Sequence, residues 1–199
     1  PMDVSRRDFN KSLLAGTAAL ATGAAGIPGP SALAQAAPRK GGRLRIAAHT
    51  QSAKETLDPS KYVASTEYAR GHMFYNGLVR LDEKAQAQPE LAESFEVTPD
   101  AKKWVFKLRK GVTFHDGSPL TTNDVIYSIM RHKDPATASK AKSLADQILE
   151  VKATGPNEVT MRLASANADL PVVLGTFHFH IVKEGTTDFN AGIGTGPYK

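Results

Sequence analysis

The sequence predicts an α+β fold in which β-hairpins pack against one or two helices. Residues 94–111 and 148–164 each alternate apolar and polar side chains on both sides of a turn-like segment, which is the period of a half-buried strand. Residues 65–79 instead repeat large side chains every three to four positions, which indicates a helix. No internal repeat accompanies these segments, so the chain does not indicate a solenoid.

The first predicted hairpin is "SFEVTPDAKKWVFKLRKG". Trp104, Phe106 and Leu108 alternate with more polar neighbours after the turn "TPDA". Ala101 stands in that turn where Gly would be easier if φ is positive there.

The second predicted hairpin repeats this design. Val151 and Ala153 precede the turn "TGPNE", and Val159, Met161 and Leu163 follow it. The remaining predicted elements are a strand at 43–49, a helix at 66–76 capped by Ser65 or Thr66 and stopped at Gly77, a short helix in 169–177, and a strand at 177–182.

Residues 108–129 place His115 beside Asp116, which suggests catalysis at first sight. However, Asp116 opens a turn-forming segment, Thr121 is a good N-cap, and Asp124 stands three residues later to support the helix start. An acid-base pair also needs a third group and a pocket, and the sequence indicates neither. We therefore interpret this stretch as a strand-to-helix junction and assign no catalytic residue.

Composition excludes several classes of function. The 199 residues contain no Cys, which rules out disulfides and thiolate metal sites within the chain. The net charge is +5, but basic residues are interleaved with acidic ones, as on an ordinary solvated surface. We therefore expect no nucleic-acid partner.

The first 34 residues form a separate segment. Arg6 and Arg7 precede an apolar stretch rich in Ala and Gly, and small residues follow at Ala32 and Ala34. This order resembles a twin-arginine export signal. It implies recognition of Arg6 and Arg7 by the twin-arginine machinery, cleavage near Ala34, and a periplasmic location.

Residues 76–131 resemble the extracytoplasmic solute-binding proteins of family 5, which serve ABC importers of peptides, nickel and oligosaccharides. The motifs "LDP" (57–59), "DPATAS" (134–139) and "GTGPYK" (194–199) match in the same order. The resemblance implies a two-lobed, class II-like periplasmic binding protein of α/β type. It also implies a peptide-like solute delivered to an ABC permease in the inner membrane, without a cofactor and without catalysis.

The same resemblance implies a domain plan. After a signal peptide at 1–34, residues 35–77 and 186–199 should form the sheet-bearing part of lobe I, and residues 78–185 an extra subdomain of hairpins and helices. The second lobe would then follow Lys199. One lobe supplies only part of the contacts that a micromolar solute needs, about 8 kcal/mol in total.

The candidate ligand-binding residues lie in two stretches. By resemblance, the loop after "LDP" lies at the cleft, so Tyr62, Val63, Ala64 and Ser65 are the first choice. His49, Thr50 and Gln51, at the end of the first predicted strand, come next. The alternative for the first stretch is a plain surface loop that enters a helix.

His178 and His180 leave two rival functions open. If residues 177–182 form a strand, both imidazoles project from one face and could share a metal. That would suit a nickel receptor of the same family or a periplasmic metalloenzyme. No further ligand stands at supporting spacing, and Phe177, Phe179 and Ile181 should form the buried face, so we assign no metal site.

Overall fold

The computed structural model describes Arg45, Ala47, Ala48 and residues 53–199. The signal-like segment, the candidate residues His49, Thr50 and Gln51, and most of the strand predicted at 43–49 lie outside the described residues. The three described residues of that predicted strand, Arg45, Ala47 and Ala48, do not form a strand. Every element below belongs to one unit, Ala47–Lys199. No helix within the described part of the chain is both long and apolar enough to cross a bilayer.

Four antiparallel strands form the main sheet, in the spatial order β3-β4-β6-β5. Ala92–Val97 (β3) and Lys103–Leu108 (β4) form the first predicted hairpin, and Ile148–Gly155 (β5) and Glu158–Leu163 (β6) form the second. Phe106 pairs with Phe95 on one side and Val159 on the other. Both hairpin predictions are therefore confirmed, and a contact between β4 and β6 joins them. A smaller sheet pairs Val79–Leu81 (β1) with Ala87–Pro89 (β2).

Four α-helices lie within the described residues. They are Ser65–Phe74 (α1), Thr122–Met130 (α2), Lys142–Ala145 (α3) and Leu170–Leu174 (α4). Helix α2 packs against β5 and β6, and its Val125 and Ile129 join Phe106, Val159 and Met161 in the buried core. Burial of these apolar surfaces drives the sheet and helix together.

The start of α2 confirms the helix side of the predicted strand-to-helix junction; on the strand side, β4 ends at Leu108 and Thr113 makes only an isolated bridge to Pro119. Asp124 Oδ2 accepts hydrogen bonds from the Thr121 N–H and hydroxyl, both at 2.7 Å. Gly117 has φ +85° in the turn before it, where a side chain would be strained. The polar residues of this stretch therefore build the junction.

The predicted boundaries of α1 are partly wrong. The N-cap residue is Ala64 rather than Ser65 or Thr66, and the helix ends at Phe74, before Gly77. The end is set by a distant segment: the N–H groups of Gly196 and Tyr198 donate to the carbonyls of Phe74 and Met73 at 2.9 and 3.1 Å. A Cβ on Gly196 would approach the Met73 carbonyl oxygen to 2.5 Å, so the "GTGPYK" motif permits this close packing.

The prediction of a strand at 177–182 is also wrong. Phe177–Phe179 is a 3-10 turn, and His180 makes only an isolated bridge to Gly77. Four consecutive residues, from Phe179 to Val182, are buried. The segment is enclosed on all sides, so the alternation that indicated a half-buried strand does not correspond to two faces.

Candidate functional site

The 62–65 loop (Tyr62–Ser65) connects a 3-10 turn, Pro59–Lys61, to α1. Its first two residues differ sharply in exposure. Tyr62 is 1% exposed, and its hydroxyl donates to the Leu57 carbonyl at 3.1 Å. Val63 is 64% exposed, an unusual value for a large apolar side chain. The loop is therefore anchored at Tyr62 and presents Val63 to its surroundings.

Glu67 holds the loop from within. Its carboxylate accepts hydrogen bonds from the N–H groups of Thr56, Val63 and Ala64 at 2.9, 2.8 and 2.8 Å. Burial raises the pKa of Glu67, but these backbone donors outweigh burial and lower the pKa overall. A charged acceptor thus fixes the loop conformation at the first turn of α1, where the helix dipole also favours negative charge.

His178 supports the loop from the neighbouring segment. Its Nε2 donates to the Tyr62 carbonyl at 3.1 Å, and burial lowers its pKa. The adjacent Phe177 ring stacks on Tyr68 of α1, with centroids 3.7 Å apart and planes 18° apart. We call Tyr68 and Phe177 the aromatic pair. Both rings are half-buried, so they offer an apolar surface beside the loop.

The "LDP" motif builds the base of the loop. Asp58 forms a bidentate ion pair with Arg131, at 2.8 and 3.0 Å, and both side chains are largely buried. Burial raises the pKa of Asp58, but the Arg131 pairing and the Ser60 hydrogen bonds lower it overall. The Ser60 carbonyl accepts from the Lys140 N–H at 2.8 Å. The residues that directly follow the "LDP" and "DPATAS" motifs are therefore in contact.

His115 and Asp116 engage separate structural partners. The ring nitrogens of His115 lie 3.0 Å from the Gly192 carbonyl oxygen and 2.8 Å from that of Gly196. Asp116 pairs with Lys183 at 2.7 Å; hydrogen bonds from Lys183 and Ser118 lower its pKa. His115 thus anchors the "GTGPYK" segment, in agreement with a structural role for this stretch.

The prediction that His178 and His180 project from one exposed strand face is wrong. His180 is 4% exposed, and its buried Nδ1 has no hydrogen-bond partner. Burial, helped by His72 and His178, lowers its pKa to about 3. His178 already donates to Tyr62, and the two residues do not share a strand face. Among the described residues, no three His, Cys, Asp or Glu side chains come together as metal ligands.

The sequence profile of the bacterial extracellular solute-binding proteins, family 5 Middle, matches residues 86–199, more than half of the chain. The chain belongs to this family. It is 29% identical to a probable peptide ABC transporter periplasmic-binding protein of Sinorhizobium fredii over 205 aligned positions, which cover 100% of this chain and 36% of that protein. It is 34% identical to the periplasmic oligopeptide-binding protein OppA of Escherichia coli over 149 positions, 71% of this chain and 25% of OppA.

Solved structures of this family share the fold. The binding protein AgaA of A. tumefaciens, solved with agropinic acid, superposes with a TM-score of 0.67 at 28% identity, over 72% of this chain and 30% of AgaA. The chain thus spans about a quarter to a third of the relatives compared. The predicted fold class is confirmed as part of one lobe of a two-lobed periplasmic binding protein.

For this family member, sequence reasoning located the 62–65 loop but missed the residues that hold it. It did not single out Glu67, His178 as a support, the aromatic pair, or the Asp58–Arg131 ion pair. Only Glu67 carried a local signal, because a Glu three residues after the N-cap can accept from the N-cap N–H, although Ala64 lacks the side-chain oxygen of a full capping box. The other contacts join residues 73 to 116 positions apart, which no local pattern reveals.

Proposed function

We propose that this chain belongs to the periplasmic solute-binding component of an ABC importer, and that the component delivers a peptide-like solute to an inner-membrane permease. Family membership supports the importer role, and the names of the relatives support a peptide. The observation that carries the proposal is the 62–65 loop, which is fixed from behind by Glu67 and His178 while Val63 is exposed.

A preformed loop suits a receptor because it reduces the entropy lost on binding. The N–H groups of Val63 and Ala64 are occupied by Glu67, so the loop conformation does not depend on the solute. The exposed Val63 side chain and its carbonyl then contact an extended peptide, whose main chain offers donors and acceptors at regular intervals. The aromatic pair provides apolar contact for a solute side chain.

The proposed cycle involves no covalent chemistry. Solute bridges two lobes of the full-length protein, and its contacts with both favour the closed state. The permease then receives the solute unchanged. Within this proposal, Arg6 and Arg7 direct export by the twin-arginine route, with cleavage near Ala34, and residues 35–77 and 186–199 form the solute-contacting part of lobe I, beside an extra subdomain at 78–185.

The test is solute binding by the full-length protein. We expect native mass spectrometry with a pool of tripeptides to show retained peptide, and Val63→Asp to lower the affinity at least about tenfold, because a carboxylate would be desolvated against the solute. Val97→Asp is the matched control, since Val97 is exposed on β3. Equal effects of the two substitutions, or chemical conversion of the peptides, would contradict the proposal.

A further inference from the structure

An open cavity lies beside the C-terminal half of α1. Its volume is about 560 Å³, and its lining includes His72, Asn76, Arg80, Glu90 and Phe177. These residues come from α1, the segment after it, β1, the position after β2, and the 3-10 turn at 177–179. The cavity therefore has both charged and aromatic walls.

The cavity adjoins the 62–65 loop through the aromatic pair. Phe177, one of its walls, stacks on Tyr68, and the next residue, His178, donates to the Tyr62 carbonyl. His72 follows Tyr68 by one turn of α1, so the two side chains lie on the same helix face. A solute that contacts Val63 and crosses the aromatic pair thus reaches this cavity.

The polar groups of the lining fall into two classes. Glu90 and Asn76 are engaged with their surroundings: the Glu90 carboxylate accepts from Asn76 Nδ2 at 3.0 Å and from the Gly77 N–H at 2.7 Å, and Asn76 Oδ1 accepts from the Thr195 hydroxyl at 3.1 Å. The side chains of Arg80 and His72 are exposed and make no hydrogen bond or ion pair within the described part of the chain, although the His72 ring lies edge-on to the His180 ring with centroids 4.8 Å apart. Arg80 also attracts the Asp82 carboxylate through space.

We propose that this cavity is a subsite for a carboxylate of the solute, with Arg80 as the main specificity-determining residue. A guanidinium presents parallel N–H donors that match a carboxylate, and His72 supplies a further N–H. The aromatic pair packs against the part of the solute that precedes this carboxylate. The inference rests on the proposed function and narrows its substrate class to acidic peptides.

The experiment compares two tripeptide pools with the full-length protein. The acidic pool contains one Asp or Glu per peptide and a free C-terminus; the neutral pool contains Asn or Gln and a C-terminal amide. We expect the wild-type protein to prefer the acidic pool. We expect Arg80→Gln to weaken acidic-pool binding about tenfold or more, as for loss of a charge-assisted pair, and to change neutral-pool binding less than about twofold.

Lys84→Gln is the matched control, because Lys84 is an exposed cation four residues further along and does not line the cavity. An Arg80→Gln protein that loses affinity for both pools equally, or for neither, overturns the subsite. Equal wild-type binding of the two pools also overturns it, while the proposed function stands. A wild-type protein that binds neither pool overturns the proposed function and the subsite with it.

Discussion

The four-stranded sheet and the loop region around Tyr62–Ser65 bury different kinds of side chain. The sheet buries Trp104, Phe106, Val159 and Met161, and the buried polar side chains of the described residues all lie outside its strands. The loop region buries Asp58, Glu67 and His180 instead. Apolar burial is non-directional and stabilises any well-packed arrangement, whereas buried polar groups require specific partners. The contrast indicates that the sheet supplies stability and the loop region supplies a defined geometry.

Phe106→Ala should produce the largest effect on the sheet side of this comparison. Phe106 is fully buried in the central strand β4, so truncation should lower the free energy of unfolding by about 3–5 kcal/mol. Chemical denaturation of the full-length protein measures the loss. Peptide affinity should remain unchanged where the variant is still folded, and a selective loss of affinity would show that sheet and loop are not separable in this way.

A fall in pH should lower the free energy of unfolding through the buried histidines His132 and His180, which lie outside the sheet. Burial lowers the pKa of His132 to about 4 and that of His180 to about 3, below the ordinary value of about 6.5. The unfolded chain therefore binds protons first as the pH falls, and each histidine should cost about 2 kcal/mol of stability between pH 7 and pH 5. The lowered pKa values of Asp58 and Glu67 matter only at lower pH, because those carboxylates stay ionised in this window.

His180→Leu provides the check on this pH dependence. The unfolding free energy, measured from pH 7 to pH 5, should depend less on pH in the variant, by about 2 kcal/mol over the window. The slope is informative even if the variant is less stable overall. An unchanged slope would show that the pKa of His180 is the same in the folded protein and in the unfolded chain.

Glu67→Gln should show that the loop conformation matters more for peptide affinity than for the free energy of unfolding. The amide keeps the size of the side chain but turns an NH₂ group toward backbone donors, and about 1–3 kcal/mol of stability should be lost. The larger consequence is for binding, because one neutral amide oxygen can no longer hold all three N–H groups of Thr56, Val63 and Ala64, and we expect about tenfold weaker peptide binding. Glu96→Gln, an exposed substitution on β3, is the control for the charge change and should have neither effect.

The contrast between sheet and loop also explains what the sequence could predict. Strand alternation and turn composition located both hairpins, and the Thr121–Asp124 spacing located the start of α2, because these features are local. The histidines of residues 177–182 were misplaced because their environment is set by α1 and by Gly77, about a hundred residues earlier. The residues that hold the 62–65 loop were missed for the same reason, with Glu67 the exception.

Ala101→Gly should produce the smallest effect, and of opposite sign. Ala101 has φ +52° in the turn between β3 and β4, a conformation that strains a residue with a Cβ. Gly removes that strain but gains freedom in the unfolded chain, so we expect a net gain of about 0.5–1 kcal/mol in unfolding free energy. Ala153→Gly, at an exposed position near the end of β5, should instead destabilise by a similar amount. Both positions belong to the sheet and not to the loop region, so the peptide affinity of both variants should equal that of the wild-type protein.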